Sequence, residues 1–286
     1  MKKICLAYNP YKNENLELAS ALESILKDFV EIFKIVVDLN KDFIEVIPED
    51  LDLIVVLGGD GTLLTCVRKF IKYKIPFLGI NTGHLGFLTE AKTPNDFKNF
   101  FITIFNGNYK KDLRTTLCTK IIKANKMIIK EEIIALNEIT IIRSSRSNIL
   151  QLDLEINQDY VANYFADGLI ISTPTGSTAY SLSAGGAVLA PNIQAFQISP
   201  ICAHSLTSRS LVVSDMCTLK VNINEKNHKD SKVSLQADGQ DIFDLETGDS
   251  VIIEKSPYIA TLIHSLDQEN GFYKVLNKKL SWGIRS

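Results

Sequence analysis

The sequence predicts an α/β N-terminal domain with a doubly wound, mostly parallel sheet, followed by a β-rich antiparallel C-terminal domain. In the first third, short apolar runs alternate with segments whose apolar residues recur every three or four positions, the strand–helix rhythm of parallel sheets. Beyond residue 112, apolar and polar residues alternate one by one, as is typical of antiparallel strands. We expect the first domain over 1–112 and the second over 113–263, with the tail 264–286 packing back on the first.

Four apolar runs predict the parallel strands of the first domain: 3–8, 30–37, 53–57 and 76–80. Helical stripes of apolar residues follow the first, third and fourth of these runs. Ligands bind such sheets beyond the carboxyl ends of the strands. We therefore expect one rim of the sheet to carry the segments that follow these strands: 9–10, 58–62 and 81–86.

The second domain shows strand and hairpin patterns. Residues 150–156 alternate apolar with polar, residues 157–159 turn the chain, and the alternation returns at 219–223 and 251–253. A short helix is expected within 178–184.

Composition excludes several classes of partner. The chain has 286 residues, 45 % hydrophobic, and a net charge of −2, so we expect neither nucleic acid nor a membrane as a partner. No apolar run approaches the ~20 residues of a membrane span. Its five cysteines include no CxxC pair, which favours reduced thiols in a cytoplasmic protein.

The turn Gly58-Gly59-Asp60-Gly61-Thr62 joins the third strand to a helix. Its glycines allow close approach of a ligand, and the start of the helix attracts negative charge. Asp60 places a carboxylate there, which could bind Mg²⁺, act as a base toward a hydroxyl, or simply cap the turn. The pattern is neither a P-loop nor G-x-G-x-x-G.

Two other clusters interrupt apolar runs. Residues 81–88 form a glycine-containing loop, whose His84 we interpret as structural rather than catalytic. Asn137 and Glu138 break an apolar run, either as a turn or as an inward-facing site. An Asn can pair with a base or amide, and a Glu can accept two ribose hydroxyls.

The stretch 166–186 is the longest unusual segment. A buried strand leads into a turn of glycines and hydroxyl residues, and a short helix begins near Ser177, so N–H groups and hydroxyls converge. Tyr180 offers a flat face to an aromatic ring. No G-x-S-x-G elbow is present, so serine hydrolysis is not supported. Chemistry alone makes Asp238-Gly239-Gln240 a hairpin turn.

Taken together, these segments resemble the NAD kinase family. The Gly-Gly-Asp-Gly turn is shared with diacylglycerol and sphingosine kinases, whereas the run Thr-Pro-Thr-Gly-Ser-Thr-Ala-Tyr at 173–180 is far more specific. The resemblance covers most of the chain in the order and spacing of the family. It rests on five segments: 58–62, 81–88, 137–138, 166–186 and 238–240.

The resemblance implies phosphorylation of the adenosine ribose 2′-hydroxyl of NAD to give NADP. It further implies ATP, another nucleoside triphosphate or polyphosphate as donor, a divalent metal such as Mg²⁺, and a homodimer or homotetramer with the NAD pocket between the domains and partly at a subunit interface. Asp60 is then the proton acceptor and also contacts NAD. The other implied NAD contacts are Gly61, Asn137, Glu138, Asp167, Thr175, Thr178, Ala179, Tyr180, Ser181, Leu182, Ser183 and Gln240.

Two alternatives remain open on the sequence. A diacylglycerol- or sphingosine-type lipid kinase would share the Gly-Gly-Asp-Gly turn but need an apolar acceptor pocket, against which the stretch 166–186 argues. A non-catalytic NAD-binding sensor would keep Asn137, Glu138 and Asp167 but could lose Asp60.

Overall fold

The computed structural model describes residues 2–11, 13–38, 46–81, 86–91, 97–143, 149–205, 207–224, 226–227, 232–266 and 271–280. The expected loop residues 82–85, which include His84, lie outside this part of the chain. No helix within the described ranges is long and apolar enough to cross a membrane.

Strands dominate the chain. They are, in order, β1 (Lys2–Tyr8), β2 (Val30–Val36), β3 (Leu53–Leu57), β4 (Phe77–Asn81), β5 (Glu90–Ala91), β6 (Tyr109–Ile122), β7 (Ile128–Ala135), β8 (Glu138–Arg143), β9 (Leu150–Ile156), β10 (Asp159–Ala166), β11 (Gly168–Ser172), β12 (Ala195–Ile201), β13 (Leu211–Ser214), β14 (Leu219–Ile223), β15 (Val233–Ala237), β16 (Asp241–Leu245) and β17 (Ser250–Ser265). The α-helices are α1 (Asn13–Leu26), α2 (Asp60–Phe70), α3 (Phe97–Phe105), α4 (Tyr180–Ser183) and α5 (Phe272–Leu280).

The chain folds into two compact units. The first unit comprises the residues up to Leu113 together with the chain from Ala260, and the second comprises Arg114–Ile259. Residues 260–263, placed in the second domain from sequence, lie in the first unit, because Leu262 of β17 pairs with Phe77 of β4.

The first unit is built on a parallel sheet in the order β2-β1-β3-β4-β17, with β5 also beside β4. One face packs against α1 and α3 in a core that includes Leu6, Leu22 and Phe101. On the other face α2 brings Cys66 close to Cys5 of β1; burial raises the pKa of the Cys66 thiol, and Cys5 adds to the rise. Helices on both faces confirm the doubly wound α/β class.

Helix α5 was not predicted from the sequence. Its buried residues are only Val275 and Leu276, one short stripe in a nine-residue helix. So brief a periodicity is too weak to recognise without the surface on which it packs.

The second unit is antiparallel, as predicted. One sheet has the order β13-β12-β11-β8-β15-β16, and the other strands include the series β10-β9-β14-β17. Alternate residues of both sets form a single core, for example Ile141 and Leu169 from the first and Leu152 and Val221 from the second.

Three strand ends meet at one edge of the six-stranded sheet. Glu138 begins β8 and lies opposite Ser172, the last residue of β11. Ala237 ends β15 opposite Ile139. The chain that follows β11 and the turn that follows β15 therefore both lie beside Asn137 and Glu138.

Candidate functional site

Asp60 is the first residue of α2, and two glycines separate it from the buried strand β3. Gly59, in extended conformation, is the N-cap residue and supplies no side chain of its own. Gly58 has a φ of 151°, a conformation that L side chains rarely adopt, so glycine is needed there. The turn thus delivers the Asp60 carboxylate to the carboxyl edge of the parallel sheet.

Three donors from one short segment hold the Asp60 carboxylate. Oδ2 accepts the Phe87 N–H at 2.8 Å. Oδ1 accepts the Leu88 N–H at 3.2 Å and the Thr89 hydroxyl at 3.1 Å. The carboxylate is therefore fixed from outside its own turn.

Gly86 and Asn81, together with the three donors Phe87–Thr89, form what we call the cradle of the Asp60 carboxylate. A Cβ on Gly86 would lie 2.8 Å from Cγ of Asp60 and closer still to its Oδ1, so only glycine leaves room for the carboxylate. The Asn81 amide donates to the Thr89 hydroxyl at 3.2 Å, which orients Thr89.

In the second unit, Asp238 organises the Asn137-Glu138 break. Its carboxylate accepts the N–H groups of Leu136 at 3.1 Å, Asn137 at 2.7 Å and Glu138 at 3.2 Å. Asp238 is only 7 % exposed. A turn that looked like an ordinary hairpin thus fixes the backbone of the two candidate binding residues.

Glu138 is a buried acid. It is 6 % exposed, and its Oε2 has no hydrogen-bond partner among the described residues. Burial raises the pKa of Glu138 to about 8; the charge of Asp238 adds to the rise and the backbone N–H of Tyr180 opposes it. At neutral pH this side chain can donate as well as accept a hydrogen bond.

The turn after β11 packs directly on Asn137. Two hydrogen bonds fix Thr173. Its N–H donates to the Asn137 carbonyl at 2.9 Å, and its hydroxyl donates to the Leu136 carbonyl at 2.6 Å. A Cβ on Gly176 would lie 2.8 Å from Cα of Asn137. Thr175 is buried, and its hydroxyl accepts from Arg114 at 3.2 Å.

Asp167 stands at the other end of β11, five residues from Ser172 and hence about 16 Å along the strand from the Glu138 end. It forms an ion pair with Arg143, with Nε to Oδ1 at 3.1 Å. Tyr180 interacts electrostatically with acids at both ends of β11. Burial raises the pKa of Tyr180, and the charges of Cys202, Asp167 and Glu138 add to the rise.

Models of the NAD kinase family match both parts of the chain. The ATP-NAD kinase N-terminal domain matches residues 33–109, and the ATP-NAD kinase C-terminal domain matches residues 136–265. The chain belongs to the NAD kinase family.

Curated relatives agree with this membership. An NAD kinase of Lachnoclostridium phytofermentans is 34 % identical over 284 residues, covering 98 % of this chain and 99 % of the relative. An NAD kinase of Legionella pneumophila strain Corby is 38 % identical over 238 residues, covering 83 % and 78 %. The lipid-kinase and sensor alternatives find no support among these relatives.

Two solved structures share the fold. Yeast NADH kinase complexed with NADH superposes with a TM-score of 0.82 at 24 % identity, covering 100 % of this chain and 89 % of the other. An NAD kinase from Archaeoglobus fulgidus in complex with ATP gives 0.74 at 26 % identity, covering 98 % and 100 %.

Within this member of the NAD kinase family, the sequence-predicted residues have unequal accessibility. Tyr180 is 41 % exposed, and Ser183 is also exposed. Ser181 is fully buried, and its hydroxyl lies 3.1 Å from that of Ser199. Residues of intermediate exposure are Asp60, Gly61, Asn137, Asp167, Thr178, Ala179, Leu182 and Gln240.

Sequence reasoning missed the residues that hold the site residues in place. Asp238 supports Glu138, and Arg143 pairs with Asp167. The segment Phe87–Thr89 supports Asp60. One indication of these supporting residues was present in the sequence: each lies within or near a segment that resembles the NAD kinase family. Their contacts could not be predicted, because most of them join residues far apart in sequence.

The described residues contain no group of three His, Cys, Asp or Glu side chains that could hold a metal ion.

Proposed function

We propose that this chain is an NAD kinase that transfers the γ-phosphoryl group of ATP to the 2′-hydroxyl of the adenosine ribose of NAD, producing NADP and ADP. The observation that carries the mechanism is the Asp60 carboxylate, held by three donors at the start of α2. In the reaction the 2′-oxygen bonds to the γ-phosphorus, the bond from that phosphorus to the bridging oxygen breaks, and Asp60 takes the hydroxyl proton.

The hydrogen-bond capacity of Asp60 favours Oδ2 as the proton acceptor. An ionised carboxylate offers about four lone-pair sites. Among the described residues, Oδ1 accepts two hydrogen bonds, from Leu88 and Thr89, whereas Oδ2 accepts one, from Phe87. The ribose hydroxyl can therefore approach Oδ2 without displacing any of these three donors.

The second unit supplies all the dinucleotide contacts in this proposal except Asp60 and Gly61. Glu138 and Asp167 lie near opposite ends of β11, a separation that an extended ligand can match and a compact one cannot. Tyr180, exposed near both acids, offers its ring for stacking. The proposed NAD contacts are Asp60, Gly61, Asn137, Glu138, Asp167, Thr175, Thr178, Ala179, Tyr180, Ser181, Leu182, Ser183 and Gln240.

For the donor, the start of α2 favours phosphate, because helix amino ends carry partial positive charge. The divalent metal, which we propose is Mg²⁺, would arrive bound to the phosphates of ATP, as is usual in phosphoryl-transfer sites. It would neutralise phosphate charge there.

We also propose a homodimer or homotetramer. Apolar side chains are exposed on two edge strands of the second unit, Tyr160 and Phe165 on β10 and Val212 on β13. Edge strands with exposed apolar residues tend to be covered by a partner. A cytoplasmic location is proposed because none of the five cysteines, all of which lie in the described ranges, forms a disulfide.

The decisive experiment is a coupled assay. Purified protein is incubated with ATP and Mg²⁺ and with NAD, diacylglycerol or sphingosine as acceptor, and NADP is measured with an NADP-specific dehydrogenase. We expect NADP from NAD and no lipid phosphorylation. Tight binding of NAD without NADP formation would instead identify a sensor.

The Asp60→Asn variant tests the base. It should bind NAD as the wild type does yet form no NADP, because the amide cannot accept the proton. Asp159→Asn, at an exposed hairpin position, is the matched control and should retain wild-type turnover. Turnover near wild type in Asp60→Asn would remove Asp60 from its role.

A further inference from the structure

His264 bridges two acidic residues in the first unit, and the function proposed above uses none of the three. Its Nδ1 lies 3.4 Å from Oε1 of Glu90, and its Nε2 lies 3.4 Å from Oδ2 of Asp112. The three side chains come from β17, β5 and β6. Glu90 and Asp112 are the charged groups that face the imidazole within the described part of the chain.

Glu90 is a buried acid in contact with His264. It is 4 % exposed; Oε1 accepts the Ser265 N–H at 2.7 Å, and Oε2 has no partner among the described residues. Burial lowers the pKa of His264, but its contacts with Asp112 and Glu90 outweigh burial, so the pKa is raised above its ordinary 6.5. The imidazolium can therefore neutralise the buried carboxylate.

Glu90 is covalently continuous with the segment that holds the Asp60 carboxylate. It directly follows Thr89, the last of the three donors to Asp60. Strand β5 has only two residues, so its pairing with β4 is a weak anchor, and the Glu90 side chain adds a second one through its hydrogen bond from the Ser265 N–H. The Phe87 side chain also anchors this segment. The centre of its ring lies 6.5 Å from that of Phe272 and 4.8 Å from the Lys279 amine.

We propose that His264, bridging Glu90 and Asp112, is a positioning residue that keeps the segment 86–91 closed on Asp60 only while the imidazole is protonated. The inference rests on the proposed function, because that function makes the orientation of Asp60 matter for turnover. Loss of the proton leaves two carboxylates facing a neutral ring, so Glu90 moves and Thr89 moves with it. Turnover then falls as the pH rises, while NAD binding by the second unit is unaffected.

The first experiment measures kcat and KM for NAD across pH in the wild type, His264→Gln and His204→Gln. We expect the wild-type kcat to fall on the alkaline side. His264→Gln should lack this alkaline fall, with kcat at pH 7 roughly tenfold lower and KM within twofold. His204→Gln removes an exposed histidine and should retain the alkaline fall. An alkaline fall that persists in His264→Gln, or a loss expressed in KM alone, overturns the proposal.

A second experiment does not need turnover. The chain has four histidines, so their ring protons can be followed by NMR titration and His264 assigned by its absence in His264→Gln. We expect His264 to titrate above 6.5 and Asp112→Asn to lower its pKa. Amide exchange at Phe87 and Leu88 should be faster in His264→Gln. An ordinary pKa or unchanged exchange contradicts the proposal, whereas absent NADP formation with both results present contradicts only the proposed function.

The double variant Glu90→Gln/His264→Gln is a control for the case in which His264→Gln fails to fold. It removes the buried Glu90 charge together with that of His264, so no buried carboxylate loses its counter-charge, and the Asp112 carboxylate that remains is 25 % exposed. We expect it to fold and to show reduced kcat without the alkaline fall. Wild-type kcat with the alkaline fall restored would overturn the proposal.

Discussion

A methyl group at Gly86 should damage catalysis by displacing Asp60. In Gly86→Ala the new carbon would lie 2.8 Å from Cγ of Asp60. Carbon atoms in ordinary contact are at least about 3.5 Å apart, so the carboxyl carbon must shift by at least about 0.7 Å. Oδ1 of Asp60 and the Thr89 hydroxyl would lie closer still to the new carbon, so the full displacement is larger. The backbone of Gly86 is outside the left-handed region, so the substitution adds no backbone strain.

The size of the effect follows from this shift. A misplacement of about 1 Å in a reacting group can cost about 100-fold in rate, so we expect kcat to fall roughly tenfold to hundredfold. KM for NAD should stay within about threefold, because the proposed NAD contacts other than Asp60 and Gly61 are not displaced. Overpacking should lower the unfolding free energy by about 1–3 kcal/mol.

The assay is NADP formation under saturating ATP, with kcat and KM determined separately and folding checked by circular dichroism. Gly271→Ala is the matched control, since a Cβ there meets no described residue within 4 Å. A folded Gly86→Ala protein with kcat within twofold of wild type would refute the view that the cradle fixes Asp60.

Three further predictions concern the second unit. Because folding raises the pKa of Glu138 from 4.5 to about 8, its contribution to stability is complete below 4.5 and is lost as the pH rises through about 8. The unfolding free energy should therefore fall by up to about 1.4 kcal/mol per pH unit across this window, and Glu138→Gln should flatten that slope in urea titrations. Asp238→Ala leaves three N–H donors without their carboxylate and should cost at least about 3 kcal/mol in urea unfolding. Gly176→Ala would place a Cβ 2.8 Å from Cα of Asn137 and should raise KM for NAD more than it lowers kcat.

Each of these predictions has a contrary result. A stability slope that is the same in Glu138→Gln and wild type would show that Glu138 is not the titrating group. Asp238→Ala as stable as Asp159→Ala, its exposed counterpart, would show that the three hydrogen bonds contribute little. An unchanged KM in Gly176→Ala, with Gly271→Ala as control, would separate the turn after β11 from NAD binding.

Local pattern was sufficient for most of the fold. The run before Gly58 and the stripe after Thr62 predicted β3 and α2, because a buried parallel strand and an amphipathic helix each leave a periodic signature. Helix α5 was missed because its apolar stripe is only one turn long.

The sequence by itself determined the two fold types, the turn that carries Asp60, and the segments that resemble the NAD kinase family. Each of these features depends only on residues that are close together in sequence. Only the tertiary structure decided what holds those groups. Asp238 lies 100 positions from Glu138, and Phe87 lies 27 from Asp60. Hydrogen bonds and charges act over a few ångströms in space, so their partners become visible only when the folded chain brings distant residues together.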